Sequence, residues 1–226
     1  MDKKNYLLPI SILIAAVLIS VSLLYNAGDN GSGTSATGEK ESPLNNIIPI
    51  ESVDHVRGNP DADIVIFEYS DFECTFCKSF HTTMQRVIDE YGASGEVAWV
   101  YRHFPVHQKA PTEALATECA ASLGGNDAFW NYADMLFERT ELNDQTDLSI
   151  LPEIAGEIGL DVSEFQACLD SAEFNDKIIR DARNAVDTGG GGTPWNVVLT
   201  KDGEVTSING AQPYPVVQSL IESLLQ

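Results

Sequence analysis

Apolar and polar positions divide the chain into three regimes. An uncharged apolar run occupies about residues 7–25, behind Lys3 and Lys4. A stretch rich in Gly, Ser, Thr, Asn and charge follows, from 26 to about 46. From about Ile47 to Gln226 apolar residues recur at the short periods of strands and helices, which marks the folded domain. Within it, Ile64-Val65-Ile66-Phe67-Glu68-Tyr69 reads as a buried strand behind an Asn59-Pro60 turn signal. From 74 to 91 the period becomes helical, with Phe76, Phe80, Met84, Val87, Ile88 and Tyr91 on one face and Gly92 and Gly95 at the end. Residues 96–104 alternate as a second strand. This strand–helix–strand spacing predicts a βαβ unit with a parallel pair.

The pattern then predicts helices over 112–123, 127–138, 148–158, 162–169 and 173–188. Two short strands, 196–200 and 204–208, are joined by a Lys201-Asp202-Gly203 turn, and a helix over about 215–225 closes the chain. The expected fold is therefore α/β: a thioredoxin-like sheet with an all-helical insertion over about 110–188, preceded by a single N-terminal transmembrane helix.

That last element rests on length. At about 1.5 Å per helical residue the apolar run reaches roughly 28 Å, close to a bilayer core of about 30 Å. It exceeds a signal-peptide core of about 7–15 residues, and no clear Ala-x-Ala cleavage site follows. The expectation is an uncleaved signal-anchor. Lys3 and Lys4 precede the span and no Lys or Arg follows until Lys40, so the positive-inside rule puts the N-terminus in the cytoplasm and the catalytic domain outside the cell membrane. Residues 26–46 cannot bury enough surface to offset ordering entropy and are expected to be a flexible linker.

Charge narrows the partners. Beyond the apolar run 33 acidic side chains face 11 basic ones, a net −22. That argues against nucleic acid and anionic lipid surfaces; solubility, or life in a salty medium, accounts for it.

Four cysteines remain: Cys74, Cys77, Cys119 and Cys168. Cys74-Thr75-Phe76-Cys77 follows a buried strand and opens a helix. Three residues is nearly one turn, so both sulfurs fall on one side of the first turn. The first sulfur meets unpaired backbone N–H groups at the positive helix end, where thiol pKa values drop to about 3.5–7.5. Cys74 is then the sulfur that attacks or is attacked, and Cys77 resolves the mixed disulfide. Asp71 and Glu73 oppose the thiolate by like charge, and Lys78 partly offsets them. Two other readings fit a CxxC: a metal site, for which no second pair exists and His81 is the only nearby imidazole, and a structural disulfide, which would constrain little of the chain.

Tyr69 to Lys78, Tyr101-Arg102-His103-Phe104-Pro105 and Gly192-Thr193-Pro194 together resemble the DsbA-like thioredoxin-fold disulfide oxidoreductases, a likeness that spans about 54–225. The resemblance implies that Pro194 is cis and faces the CxxC, and that the backbone of Thr193 pairs with substrate. It places Thr75 and Phe76 at the substrate contact and Glu68 as the buried acid that exchanges a proton with Cys77; the alternative for Glu68 is a strand-edge charge facing water, against which the hydrophobic run around it favours burial. Two positions depart from the family: Thr75 stands where relatives commonly carry proline, and Trp195 where smaller or β-branched residues are common. Cys119 and Cys168 lie on apolar faces of two insertion helices. Some relatives carry such a pair, so a Cys119–Cys168 disulfide is expected, with two buried free thiols as the alternative.

His55, His81, His103 and His107 lack metal-ligand spacing, and no metal or organic cofactor is expected. The expected activity is disulfide exchange with extracytoplasmic protein thiols, most simply as a donor, with a membrane redox partner that resets the pair. A reductase or isomerase with the same residues, and a metal-binding or structural envelope domain, are the alternatives.

Overall fold

A computed structural model describes residues 42–226. The apolar run over 7–25 and most of the expected linker lie outside the described residues; among those described, no helix is long and apolar enough to cross a membrane. The end of the expected linker is ordered: Pro43–Asn46 forms a single 3-10 turn capped by the Ser42 hydroxyl. Asn46 Nδ2 donates to the Asp187 carbonyl, and Asn184 Nδ2 donates back to the Asn46 carbonyl. These residues therefore belong to the folded body.

Strands β1 (His55–Arg57), β2 (Ile64–Ser70), β3 (Val97–His103), β4 (Trp195–Thr200) and β5 (Val205–Asn209) form one sheet in the order β1-β3-β2-β4-β5. β2 and β3 are parallel, as the βαβ pattern predicts, with α1 (Thr75–Tyr91) as their crossover; the other pairings are antiparallel. β1 has no counterpart in the sequence reading, because three residues are too short to show a period.

The insertion holds α2 (Ala110–Arg139), α3 (Ile150–Glu157), α4 (Val162–Ser171) and α5 (Asn175–Asp187), and α6 (Tyr214–Leu224) closes the chain. The two helices expected over 112–123 and 127–138 are the halves of α2, broken at Gly125. Its φ of 75° and ψ of −167° suit only a residue without Cβ.

All seven residues of β2 are buried, and they alternate between two cores. Ile64 and Ile66 pack with Phe80, Met84 and Val87 of α1 and with the insertion. Val65, Phe67 and Tyr69 pack on the other face with Val100, Ala185 of α5 and the N-terminal residues Leu44, Ile47 and Ile50. By the same alternation Glu68 and Ser70 point toward α1. Phe76 is the exception to the helical face drawn from the sequence: it is 67% exposed, and Cys77 takes the buried place.

Candidate active site

β2 ends beside the first turn of α1, and a short turn joins them. The Cys74 N–H donates to the Asp71 carbonyl (3.1 Å). The buried Asp71 carboxylate fixes this turn to its neighbours. It accepts the N–H groups of Glu73 (2.8 Å), Val106 (2.6 Å) and His107 (2.9 Å), and faces His107 Nδ1 at 3.1 Å. Burial opposes an imidazolium at His107, but the Asp71 carboxylate outweighs it and raises the His107 pKa. The expected repulsion between Asp71 and the Cys74 thiolate is muted by these donors.

Cys74 is the N-cap of α1, in an extended conformation, and no side chain caps the helix. Its sulfur takes that place. The Cys77 thiol hydrogen-bonds it, burial works the other way, and the Thr193 side chain and the N–H groups of Cys77 and Phe76 add to the stabilisation. The balance lowers the Cys74 pKa from 9.0 to about 5. As a neutral thiol the sulfur instead lies within reach of the Thr193 carbonyl, at 3.5 Å. Cys77 is fully buried and its pKa moves up, first by burial, then by its bond to Cys74 and the charges of Cys74 and Glu68. One sulfur is thus an anion at neutral pH and its neighbour a protonated thiol.

Glu68 lies beneath this pair at 0% exposure, and neither carboxyl oxygen has a hydrogen-bond partner among the described residues. The Ser70 hydroxyl and the Trp99 indole are near enough to favour the charge but do not close a bond, so burial dominates and lifts the Glu68 pKa to about 8.

The opposite wall is the loop after α5. Gly190 packs 2.8–2.9 Å, measured from where a Cβ would sit, against the Ala185 carbonyl and the Trp195 ring, so only glycine fits. Trp195 Nε1 donates to Thr188 Oγ1, which locks the loop's two ends together. Between them the Thr193–Pro194 peptide bond is cis.

A family described as thioredoxin matches residues 51–205. The chain belongs to this thioredoxin family. Among solved structures, alpha-DsbA1 of Wolbachia pipientis superposes with a TM-score of 0.70 at 22% identity, over 80% of this chain and 95% of that one. BdbD of Bacillus subtilis gives 0.69 at 22% identity, over 78% and 95%. DsbA2 of Pseudomonas aeruginosa gives 0.62 at 28% identity, over 79% and 96%. Fold and family together give the chain a DsbA-like thioredoxin fold. Among curated sequences, the Na(+)/H(+) antiporter NhaA of Herminiimonas arsenicoxydans is 34% identical over 160 residues, which is 70% of this chain but 24% of that protein. NhaA 3 of Salinispora tropica is 28% identical over 158 residues, 70% and 23%. The chain spans about a quarter of the length of these curated relatives.

Within the thioredoxin fold, the expected site residues fall into two places. Cys74, Cys77, Glu68, Thr75, Phe76, Thr193 and Pro194 gather at the first turn of α1, with the Thr75 and Phe76 side chains exposed on its lip. Cys119 and Cys168 are joined by a disulfide between α2 and α4, within the insertion. The histidines go to other duties. His55 and His103 both meet Glu118 Oε1, at 2.9 and 2.8 Å, and His81 meets Asp134 at 2.7 Å. Sequence reasoning missed Ser70, which two-residue alternation from Glu68 could have found. It also missed Glu113, for which the sequence holds no signal.

Proposed function

We propose that the protein donates disulfides to extracytoplasmic protein thiols through Cys74 and Cys77. The observation that carries this reading is the split between the two sulfurs: Cys74 is held as a thiolate with a pKa of about 5 while Cys77 is pushed up. Stabilising the reduced form in this way makes the disulfide a strong oxidant.

In the first step a substrate thiolate attacks Cys74 Sγ of the Cys74–Cys77 disulfide. The S–S bond breaks, the electron pair goes to Cys77, and a substrate–Cys74 mixed disulfide forms. Cys77 takes up a proton as it leaves, and Glu68, protonated at neutral pH, is the buried acid beside it. A second substrate thiolate then attacks its partner sulfur in the mixed disulfide and expels Cys74 as a thiolate. The substrate has lost two electrons and two protons; the enzyme keeps both electrons and one proton, as the Cys74 thiolate and the Cys77 thiol, and the second proton goes to solvent. Backbone at Thr193 and the exposed Thr75 and Phe76 flank the path of the substrate chain.

The location is part of the same proposal. The apolar run over 7–25 would tether the domain outside the cell membrane. A membrane redox partner would return Cys74 and Cys77 to the disulfide. That antiporters contain a segment matching this chain supports a place beside a membrane.

The test is the reduction potential of the Cys74–Cys77 pair in glutathione buffers, with Cys119 and Cys168 intact. A donor should lie near about −120 mV, and a value near about −270 mV would move the protein to the reductase reading. Cys74→Ser should lose all disulfide transfer to a reduced, unfolded protein.

A further inference from the structure

Glu73 and Glu113 are both fully buried, one residue before Cys74 and in the first turn of α2. Three of their four carboxyl oxygens, Glu73 Oε1 and both of Glu113, have no donor among the described residues. Two carboxyl groups can hydrogen-bond each other only if one carries a proton. Burial first, then the Glu73 charge and bond, then the charges of Asp71 and Asp144 raise the Glu113 pKa to about 9, so Glu113 keeps its proton at neutral pH. Tyr132, from the second half of α2, also feels the Glu113 charge.

The fourth oxygen, Glu73 Oε2, accepts the Asp144 N–H at 2.6 Å, and the Glu73 carbonyl accepts the Asn143 N–H at 2.8 Å. The segment so held is strained. Leu142, Asn143 and Asp144 have φ of 65°, 53° and 63°, three successive non-glycine residues in the left-handed region. Asp144 Oδ1 in turn accepts the Lys109 N–H at 2.9 Å, and Asn143 Nδ2 reaches Thr75 Oγ1 at 3.5 Å. The segment is therefore a wall of the lip that carries the reactive sulfur.

We propose that Glu113 is a positioning residue for disulfide exchange: it shares one proton with Glu73, and the pair holds residues 141–147 against the Cys74–Thr75 lip where a protein substrate must lie. This deepens the proposed function and rests on it for the role of the lip. Loss of the proton sets two buried carboxylates against each other, and the segment swings away. Small thiols, which need only the sulfur, are indifferent to that motion.

The test uses the full chain, Glu113→Gln and Glu113→Ala. Glutamine still donates to Glu73 and cannot ionise. Amide exchange over 141–147, corrected for the intrinsic effect of pH, should rise roughly tenfold or more in the wild type between pH 7 and pH 10, and stay flat in Glu113→Gln. Glu113→Ala should exchange fast already at pH 7 and lose roughly tenfold in rate with a reduced protein substrate but not with dithiothreitol. A pH-dependent rise in Glu113→Gln equal to that of the wild type would overturn the proposal, as would a flat wild-type profile. The exchange measurement is independent of redox direction, so an unexpected potential leaves it standing and only the donor reading falls.

Discussion

Replacing Glu68 with Leu should stabilise the reduced protein at neutral pH while impairing its chemistry. The buried carboxyl has a pKa of about 8 against an ordinary 4.5. An acid whose folded pKa is raised contributes its full stability below pH 4.5, and that contribution is lost as pH rises toward 8. Between those limits the folded state holds one proton more than the unfolded state. Stability therefore falls by about 1.4 kcal/mol per pH unit from this group. The sum is about 3 kcal/mol at pH 7 and about 5 kcal/mol above pH 8. Glu68→Leu removes the term and satisfies the apolar surroundings, since neither carboxyl oxygen has a partner to lose. Urea unfolding of the reduced wild type and variant from pH 4 to pH 9 should give the smallest gap at the acid end, where Glu68 is protonated, and a gap that widens to about pH 8. In the disulfide form the Cys74 thiolate no longer adds to the Glu68 shift, so the gap should stop widening at a lower pH. In parallel, disulfide transfer should slow, because Cys77 loses the acid beside it. A constant gap across pH, or a variant less stable than the wild type at pH 7, would refute the claim that burial of an unpaired carboxyl governs this position.

The Cys74 thiolate absorbance near 240 nm should titrate at about pH 5, and Glu68→Leu should leave that midpoint within a unit, since Glu68 with its pKa of about 8 is still uncharged there. Removing the Cys119–Cys168 bond by paired alanines frees a loop of sequence separation 49. It should cost about 4 kcal/mol in the entropy model and lower Tm by roughly 8–16 °C, read by calorimetry. Arg102 grips the buried Asp54 through Nε (2.9 Å) and Nη2 (2.8 Å). Arg102→Met should lose about 3–5 kcal/mol by denaturant unfolding, because it strands the carboxylate. Against burial, Arg102 holds the Asp54 pKa down, so the pair's contribution is present above pH 3.8 and fades below it; the deficit of the variant should shrink as pH falls through that range.

Much of this was legible in the residues. The continuous apolar run at 64–67, the helical period from 74 and the alternation at 96–104 gave the βαβ core, because a strand buried on both faces is apolar throughout while a helix buried on one face repeats every turn. The spacing of Cys74 and Cys77 gave the chemistry, because one helical turn brings two side chains together whatever surrounds them. Thr193-Pro194 and Glu68 needed a family resemblance, since nothing local distinguishes a site proline or a buried acid from ordinary ones. β1 escaped because three residues carry no period, and Phe76 was misplaced because Cys77, one position along, continues the buried face of Phe80, Met84 and Val87.

Other features belong to the tertiary structure alone. Asp71 looked like a charge aimed at the Cys74 thiolate, yet its carboxylate is occupied by the backbone N–H groups of Glu73, Val106 and His107. Glu113 looked like one more acid in an acidic chain, 40 residues from Glu73, until the fold buried both and left three of their four carboxyl oxygens without a donor among the described residues. A sequence fixes which groups can ionise and which can pair within one turn. How much water each keeps, and which distant charge stands opposite, depends on long-range packing, and those two quantities set the protonation states on which the site works.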